Sequence, residues 1–236
     1  MSEQIVKVKV LEFVNKVSGK KPGSKGSLTA ADPRYKIMEP VVTEEMAEVA
    51  LAMDFRKPKS AEELAALCGK PVELVSKLAW ELSLAGVCFV NKKDGVDKYW
   101  YDTWVPGIME MMVNNKANVK KYPQIGRAFE EYGRVVGPMS VGKFPVGVGV
   151  MRVIPVEKAI QGETRKASYE EISKYLNDAH VFSVSDCSCR TSREVMGEGC
   201  GHLKDVMCIQ LDHASDYYIR TYGGREITRE VAFVII

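Results

Sequence analysis

The chain has 236 residues, 46% of them hydrophobic and 27% charged, and a net charge of +2. That length suffices for one large or two modest domains with real cores, and the balanced charge gives no global pull towards nucleic acid or an anionic membrane. No apolar run is long enough to span a bilayer, and the opening "MSEQIVKVKVLEFVNKVSGK" lacks the continuous apolar centre of a secretory signal, so a soluble, cytoplasmic protein with reduced thiols is expected.

Residues 1–40 read as an N-terminal arm, with "KKPGSKGS" as loop and "ADPRY" as turn. From Val41 to Pro106 three helices and a hairpin are legible. "TEEMAEVALAMDF" starts at Thr43 and places Met46, Val49, Ala50 and Met53 on one face. In "SAEELAALCG" Ser60 and Glu63 have capping-box spacing and Gly69 ends the helix. "PVELVSKLAWELSLAG" opens at Pro71, closes at Gly86, and offers Val75, Leu78, Ala79, Leu82 and Leu84 as its buried side. "VCFVNKKDGVDKYWYDTWV" reads as two strands around a Lys-Lys-Asp-Gly turn. Three helices and a hairpin are the order of a winged helix. Its candidate recognition helix carries Glu73, Lys77 and Glu81, and in the wing Asp94 and Asp97 offset two of Lys92, Lys93 and Lys98. A groove-reading helix needs basic or amide side chains, so a packing or docking domain is expected over a DNA-binding one.

"GIMEMMVNNKANVKK" and "PQIGRAFEEYGRVV" read as helices, the second with Ile125, Phe129, Tyr132 and Val136 near one face. The Gly/Pro-rich "GPMSVGKFPVGVGV" is placed as a domain junction. Beyond it come an extended "MRVIPVE", a helix "SYEEISKYLNDAH" with a Ser168–Glu171 capping box and an Ile172/Leu176/Ala179 stripe, and a strand "VFSVSDCSCR" running into two cysteines. "IQLDHASDYYIRTYGG" reads as mostly helical, and Thr228 opens a last apolar helix, "REVAFVII". That helix stops without a C-cap, which suggests a longer parent protein.

The stretch "SDCSCRTSREVMGEGCGHLKDVMC" holds Cys187, Cys189, Cys200 and Cys208, four of the six cysteines. Clustered cysteines in a reducing compartment point to metal binding or chemistry rather than disulfides. If the C-x-C continues the strand, its Cα atoms lie about 6.6 Å apart at roughly 3.3 Å per residue. One tetrahedral zinc needs its sulfurs about 3.8 Å apart, given Zn–S bonds near 2.3 Å. A cubane spreads its ligands over separate irons, so the strand geometry leans towards a cluster, and a turn at Ser188 would cancel that preference. Gly197, Gly199 and Gly201 bracket Cys200 and allow close approach of backbone to a cofactor. Arg190, Arg193, His202 and Lys204 are interleaved with Asp186, Glu194, Glu198 and Asp205, so the stretch is not basic. His202 is the one histidine near enough to replace a cysteine ligand; His180 and His213 have no ligand-like spacing. Cys68 and Cys88 read as core thiols.

In order along the chain, "VPGIMEMMV", "RVIPVE", "SDCSCR", "GCGHLKDVMCIQL" and "GGREITRE" resemble a family of anaerobe proteins described as 4Fe-4S ferredoxin-type or NAD(P)/FAD-dependent oxidoreductases. The resemblance runs from about residue 41 onward and is most specific at the D-C-x-C-R … C … C element. It implies electron transfer, with Cys187, Cys189, Cys200 and Cys208 as the family's cysteines, Arg190 its arginine, and Gly224-Arg225-Glu226 its G-R-E step. Longer relatives continue into further cysteine-rich, flavin and nicotinamide segments. Those are missing here, so FAD and NAD(P) are expected only in domains or subunits outside this chain. Val231 and Val234 also stand where the family has acidic residues, and Thr228-x-x-Val231 cannot form a reciprocal capping box.

The expected fold is α+β. A winged-helix-like domain over 41–106 leads through connecting helices and a junction over 107–150 to a smaller α/β cysteine-rich iron–sulfur domain over 151–236, truncated at its C-terminus. The expected function is an iron–sulfur electron-transfer component of a larger oxidoreductase. A [4Fe-4S] cluster would sit on Cys187, Cys189, Cys200 and Cys208, with a redox domain or subunit as partner and neither nucleic acid nor membrane. The alternatives are a cluster-sensing winged-helix transcription regulator and a zinc-stabilised interaction domain.

Overall fold

The structure, a computed structural model, describes residues 5–140 and 172–236. The expected Gly/Pro-rich junction beyond Ser140, the extended "MRVIPVE" and the Ser168–Glu171 capping box lie outside the described residues. The chain mixes helices with two small antiparallel sheets, an α+β fold. It divides into two compact units, the first comprising residues 1–134 and 187–204, the second residues 135–186 and 205–236.

The first unit starts with helix α1 (Val8–Val17). Residues 8–17 and 33–38, read as part of an arm, instead contribute to the core through Val10, Phe13, Val14, Tyr35, Ile37 and Met38. Val10, Phe13 and Val14 sit at i, i+3 and i+4 and are fully buried, packed towards α3 (Glu44–Ala52). The carboxylate of Glu44 accepts hydrogen bonds from the Val8 and Lys9 N–H groups at 2.6 and 2.7 Å, satisfying donors that α1 leaves open. Buried Asn15 ties the following loop down: its Oδ1 accepts from Leu28 N–H at 2.7 Å. Lys16 is tied in as well, its Nζ donating to the Leu51 and Met53 carbonyls at 2.7 Å.

Helix α2 (Pro33–Met38) follows, with Pro33 in its first turn and Asp32 as N-cap, accepting from Arg34 N–H at 2.9 Å. Burial raises the Asp32 carboxyl, but the hydrogen bonds and charge of Arg34 outweigh it, and its pKa falls below the ordinary carboxylate value. Stability from this group is therefore present above the unfolded-state value near 3.8 and is lost as pH falls through the lower folded value. Asp32→Asn keeps the cap and removes the ion pair. The variant is expected to lose about 1 kcal/mol in urea unfolding at pH 7, a deficit that closes towards pH 2. A deficit independent of pH would refute the ionic account.

Thr43 caps α3 through Met46 N–H at 3.1 Å, and Met46, Val49, Ala50 and Met53 are all buried as the periodicity predicts. α4 (Ala61–Cys68) carries the capping box, Ser60 N–H to Glu63 at 2.6 Å and Glu63 N–H to Ser60 Oγ at 3.3 Å. α5 (Val72–Leu84) buries Val75, Leu78, Ala79 and Leu82; its last buried residue is Ser83, whose hydroxyl donates to the Trp80 carbonyl, whereas Leu84 is only half-buried. A Schellman motif ends α5: Gly86 N–H donates to Ser83 O and Val87 N–H to Leu82 O. Strands β1 (Phe89–Lys93) and β2 (Val96–Trp100) then pair antiparallel. Their two-residue turn has Asp94 and Gly95 both at positive φ, the type I′ geometry that matches strand twist.

Past an irregular turn over Trp104–Ile108, α6 (Met109–Asn114) is buried on most sides, α7 (Lys116–Lys121) is short, and α8 (Gln124–Ser140) is long. Ile125 of the predicted α8 stripe is buried, Phe129 and Tyr132 are half-buried, and the Val136 side chain lies outside the description.

In the second unit, α9 (Ile172–Asp178) places Leu176 and Ala179 in a small core with Phe182, Val184, Ile227 and Ala232. Strand β3 (Phe182–Ser185) is the centre of a three-stranded sheet, flanked by β4 (Cys208–Leu211) and β5 (Gly224–Ile227), and all four of its residues are buried. "IQL" is therefore strand rather than helix, because it pairs with β3 in the register Val184↔Ile209. α11 (His213–Arg220) is the helix expected after it. Thr228 caps α12 (Arg229–Ile235) through Val231 N–H at 3.3 Å, as foreseen, and Val234 is 85% exposed. Among the described residues no helix is long and apolar enough to cross a membrane.

Candidate functional site

The C-x-C does not prolong β3. The strand ends at Ser185, Cys187 is the N-cap of α10 (Ser188–Val195), and Cys189 lies in its first turn. With Ser188 helical, the two cysteine Cα atoms are about 5.4 Å apart by helix geometry instead of the extended spacing. This is the turn that cancels the lean towards a cubane over zinc. The backbone breaks here because Cys187 N–H is bound by Lys204 O at 2.8 Å, while Cys187 O accepts from both Thr191 N–H and Thr191 Oγ1 at 3.0 Å.

α10 is held to the first unit by its serines, four residues apart on one face. Ser188 Oγ donates to the Glu110 carbonyl of α6 at 2.8 Å. Fully buried Ser192 donates to the Glu130 carboxylate of α8 and lies 2.9 Å from Cys189 O. Arg193 Nε adds an ion pair to Glu130 at 2.8 Å and its guanidinium reaches Glu198 at 2.9 Å. Val195 packs onto Gly126 of α8, where a Cβ would come within 3.1 Å of it. The sequence reading assigned no role to Glu110, Glu130, Ser188 or Ser192. The available signal was the four-residue serine spacing, but its partners lie 62 and 78 positions away.

This scaffold sets the side chains of Cys187 and Cys189 near enough for each to act on the other's charge. Burial, then the neighbouring Cys187, and then the carboxylates of Glu110 and Glu130 push the Cys189 thiol up to about 11, although part of the residue meets solvent. Burial also raises Glu110, against the Gly107 N–H that donates to it at 2.8 Å. Burial and the nearby carboxylates disfavour an isolated thiolate at Cys189; a bound cation would reverse that balance.

The remaining predicted ligands are placed differently. Cys200 is exposed in a loop whose Gly197 and Gly201 have positive φ with open space around them, and His202 is exposed beside it. Arg190 donates to the Leu203 carbonyl. Cys208 belongs to the second unit, half-buried, where its Cα pairs with Ser185 in the β3–β4 ladder. Among the described residues no three His, Cys, Asp or Glu side chains are grouped as a metal ion would require. As metal ligands, then, Cys187 and Cys189 fit as one half of a site, and the structure groups no third donor with them. Cys88 is fully buried ahead of β1, with its thiol raised by burial, and Cys68 ends α4 half-buried; both stand as isolated thiols. His180 and His213 are exposed. No cysteine among the described residues is in a disulfide. Comparison of the chain with protein-family models, curated proteins and solved structures gave no match.

Proposed function

We propose that this chain is an electron-transfer module of a larger flavin- and nicotinamide-linked oxidoreductase, holding a [4Fe-4S] cluster through Cys187, Cys189, Cys200 and Cys208. The observation that carries the reading is the Cys187–Cys189 thiol pair, presented by a helix start whose backbone is anchored on both sides. When bound, such a cluster supplies a one-electron carrier tuned by its surroundings. This chain's contribution is to hold the first two thiols in register through Ser188, Thr191 and Ser192, and to leave Cys200 on a glycine-flanked loop free to approach. Loading therefore requires Cys200 and Cys208 to be drawn to the pair. The helical turn at Ser188 equally suits a single zinc ion, which is the second reading. DNA binding is disfavoured: the exposed face of α5 presents Glu73, Ser76 and Lys77, and Lys77 is paired with Glu81.

The deciding measurement is iron, acid-labile sulfide and zinc content per chain after anaerobic purification. The cluster reading expects iron and sulfide in equal amounts, with a visible band that bleaches on reduction. Cys187→Ser or Cys189→Ser should each lower iron retention by roughly tenfold or more, while Cys88→Ala should leave it unchanged. Zinc without sulfide selects the second reading. A chain free of both metals under oxygen-free handling refutes the two together.

A further inference from the structure

We propose that Cys187 and Cys189 act as a reversible dithiol–disulfide pair in the metal-free chain, oxidised by small-molecule disulfides such as glutathione disulfide. This goes beyond the metal-site reading and does not depend on which metal, if any, the chain holds. The helical conformation of Ser188 sets the two Cα atoms about 5.4 Å apart, inside the roughly 4.4–6.8 Å window of disulfides. Their side chains are neighbours, Cys187 as the N-cap and Cys189 in the first turn of the same helix. Three contacts hold the backbone around them, Cys187 N–H to Lys204 O, Thr191 N–H to Cys187 O and Ser188 Oγ to Glu110 O, and Ser192 Oγ lies 2.9 Å from Cys189 O. Closure thus leaves little chain to order. Access is also present, since Cys189 is exposed and Cys187 half-buried, whereas Cys88 is sealed in the core. Exposed Cys200 and half-buried Cys68 are the competitors in the same unit.

The chemistry is two exchanges. The Cys187 thiolate attacks one sulfur of glutathione disulfide, forming a mixed disulfide and expelling one glutathione thiolate. The second thiol gives up its proton, attacks the mixed disulfide at the protein sulfur and expels the other glutathione. The pair loses two electrons and two protons, and one glutathione disulfide becomes two glutathiones.

The test is mass-spectrometric thiol mapping of the full-length chain, freed of metal by chelation, checked for folding by circular dichroism, and incubated with excess glutathione disulfide. The expected result is a Cys187–Cys189 disulfide without retained glutathione, reversed by dithiothreitol, the other four cysteines alkylating after denaturation. Cys189→Ser should instead retain glutathione on Cys187, and Cys200→Ser should oxidise at the pair like the parent. Six alkylatable thiols, a Cys189–Cys200 linkage, or loss of oxidation in Cys200→Ser overturns the proposal. So does loss of the folded spectrum on metal removal, because the pair is argued from the folded chain. Metal analysis of the untreated protein decides the cluster reading separately.

Discussion

Gly86→Ala is expected to destabilise the first unit by about 2–5 kcal/mol in urea unfolding, the largest effect of a methyl group added at any glycine among the described residues. Two costs coincide there. Gly86 has φ +83° as the residue after the C-cap of α5, where an L side chain costs about 1–2 kcal/mol. An added Cβ would also lie 2.5 Å from Met111 C and Met112 N, backbone atoms of buried α6 that have no rotamer to change. Overpacking of that kind costs about 1–3 kcal/mol more. Gly69, at φ +66° and the end of α4, is the internal control: nothing lies within 4 Å of its added Cβ. Gly69→Ala should therefore show only the conformational cost of about 1–2 kcal/mol. Equal losses at the two positions would show that the α5–α6 approach is looser than described.

Glu130→Ala is expected to cost about 2–4 kcal/mol and to unseat α10. Glu130 is 7% exposed, accepts the hydroxyl of fully buried Ser192 and pairs with Arg193 at 2.8 Å. Removing the carboxylate leaves the Ser192 hydroxyl only the Cys189 carbonyl, 2.9 Å away, and takes one partner from a charge pair, the costly half of any buried polar contact. Glu130→Gln retains an oxygen for Ser192 and should cost about half as much. Ser192→Ala should be milder still, because Glu130 keeps Arg193. A double-mutant cycle between Glu130→Ala and Ser192→Ala should show coupling of about 1 kcal/mol or more. Near-zero coupling would separate Glu130 from α10. The functional readout follows from the geometry. Glu130 seats α10 through Ser192 and Arg193, so Glu130→Ala should slow closure of the Cys187–Cys189 disulfide, while Gly69→Ala, outside α10, should not.

Much of the first unit could be read from local chemistry alone. The Ser60/Glu63 capping box, the Thr43 cap, the glycines after α4 and α5 and the Asp94-Gly95 turn all work through hydrogen bonds or φ values within about five residues, so short-range spacing carries them. The stripe Met46, Val49, Ala50, Met53 is legible for the same reason. What failed depended on distant partners. α1 belongs to the core because Glu44 caps it from 35 and 36 residues away. "IQL" became strand because β3 lay ready to pair with it.

The cysteine element divides the same way. By itself, the sequence determined that four thiols lie within one short stretch, since covalent spacing needs no fold to be counted. Only the tertiary structure decided that Cys187 and Cys189 sit on the first turn of a helix, with Cys200 on an open loop and Cys208 in a strand of the second unit. The physical reason is that a backbone of this local composition can extend or coil at similar cost. The Lys204 carbonyl on Cys187 N–H and the grip of Glu110 and Glu130 on Ser188 and Ser192 tip it into the coil.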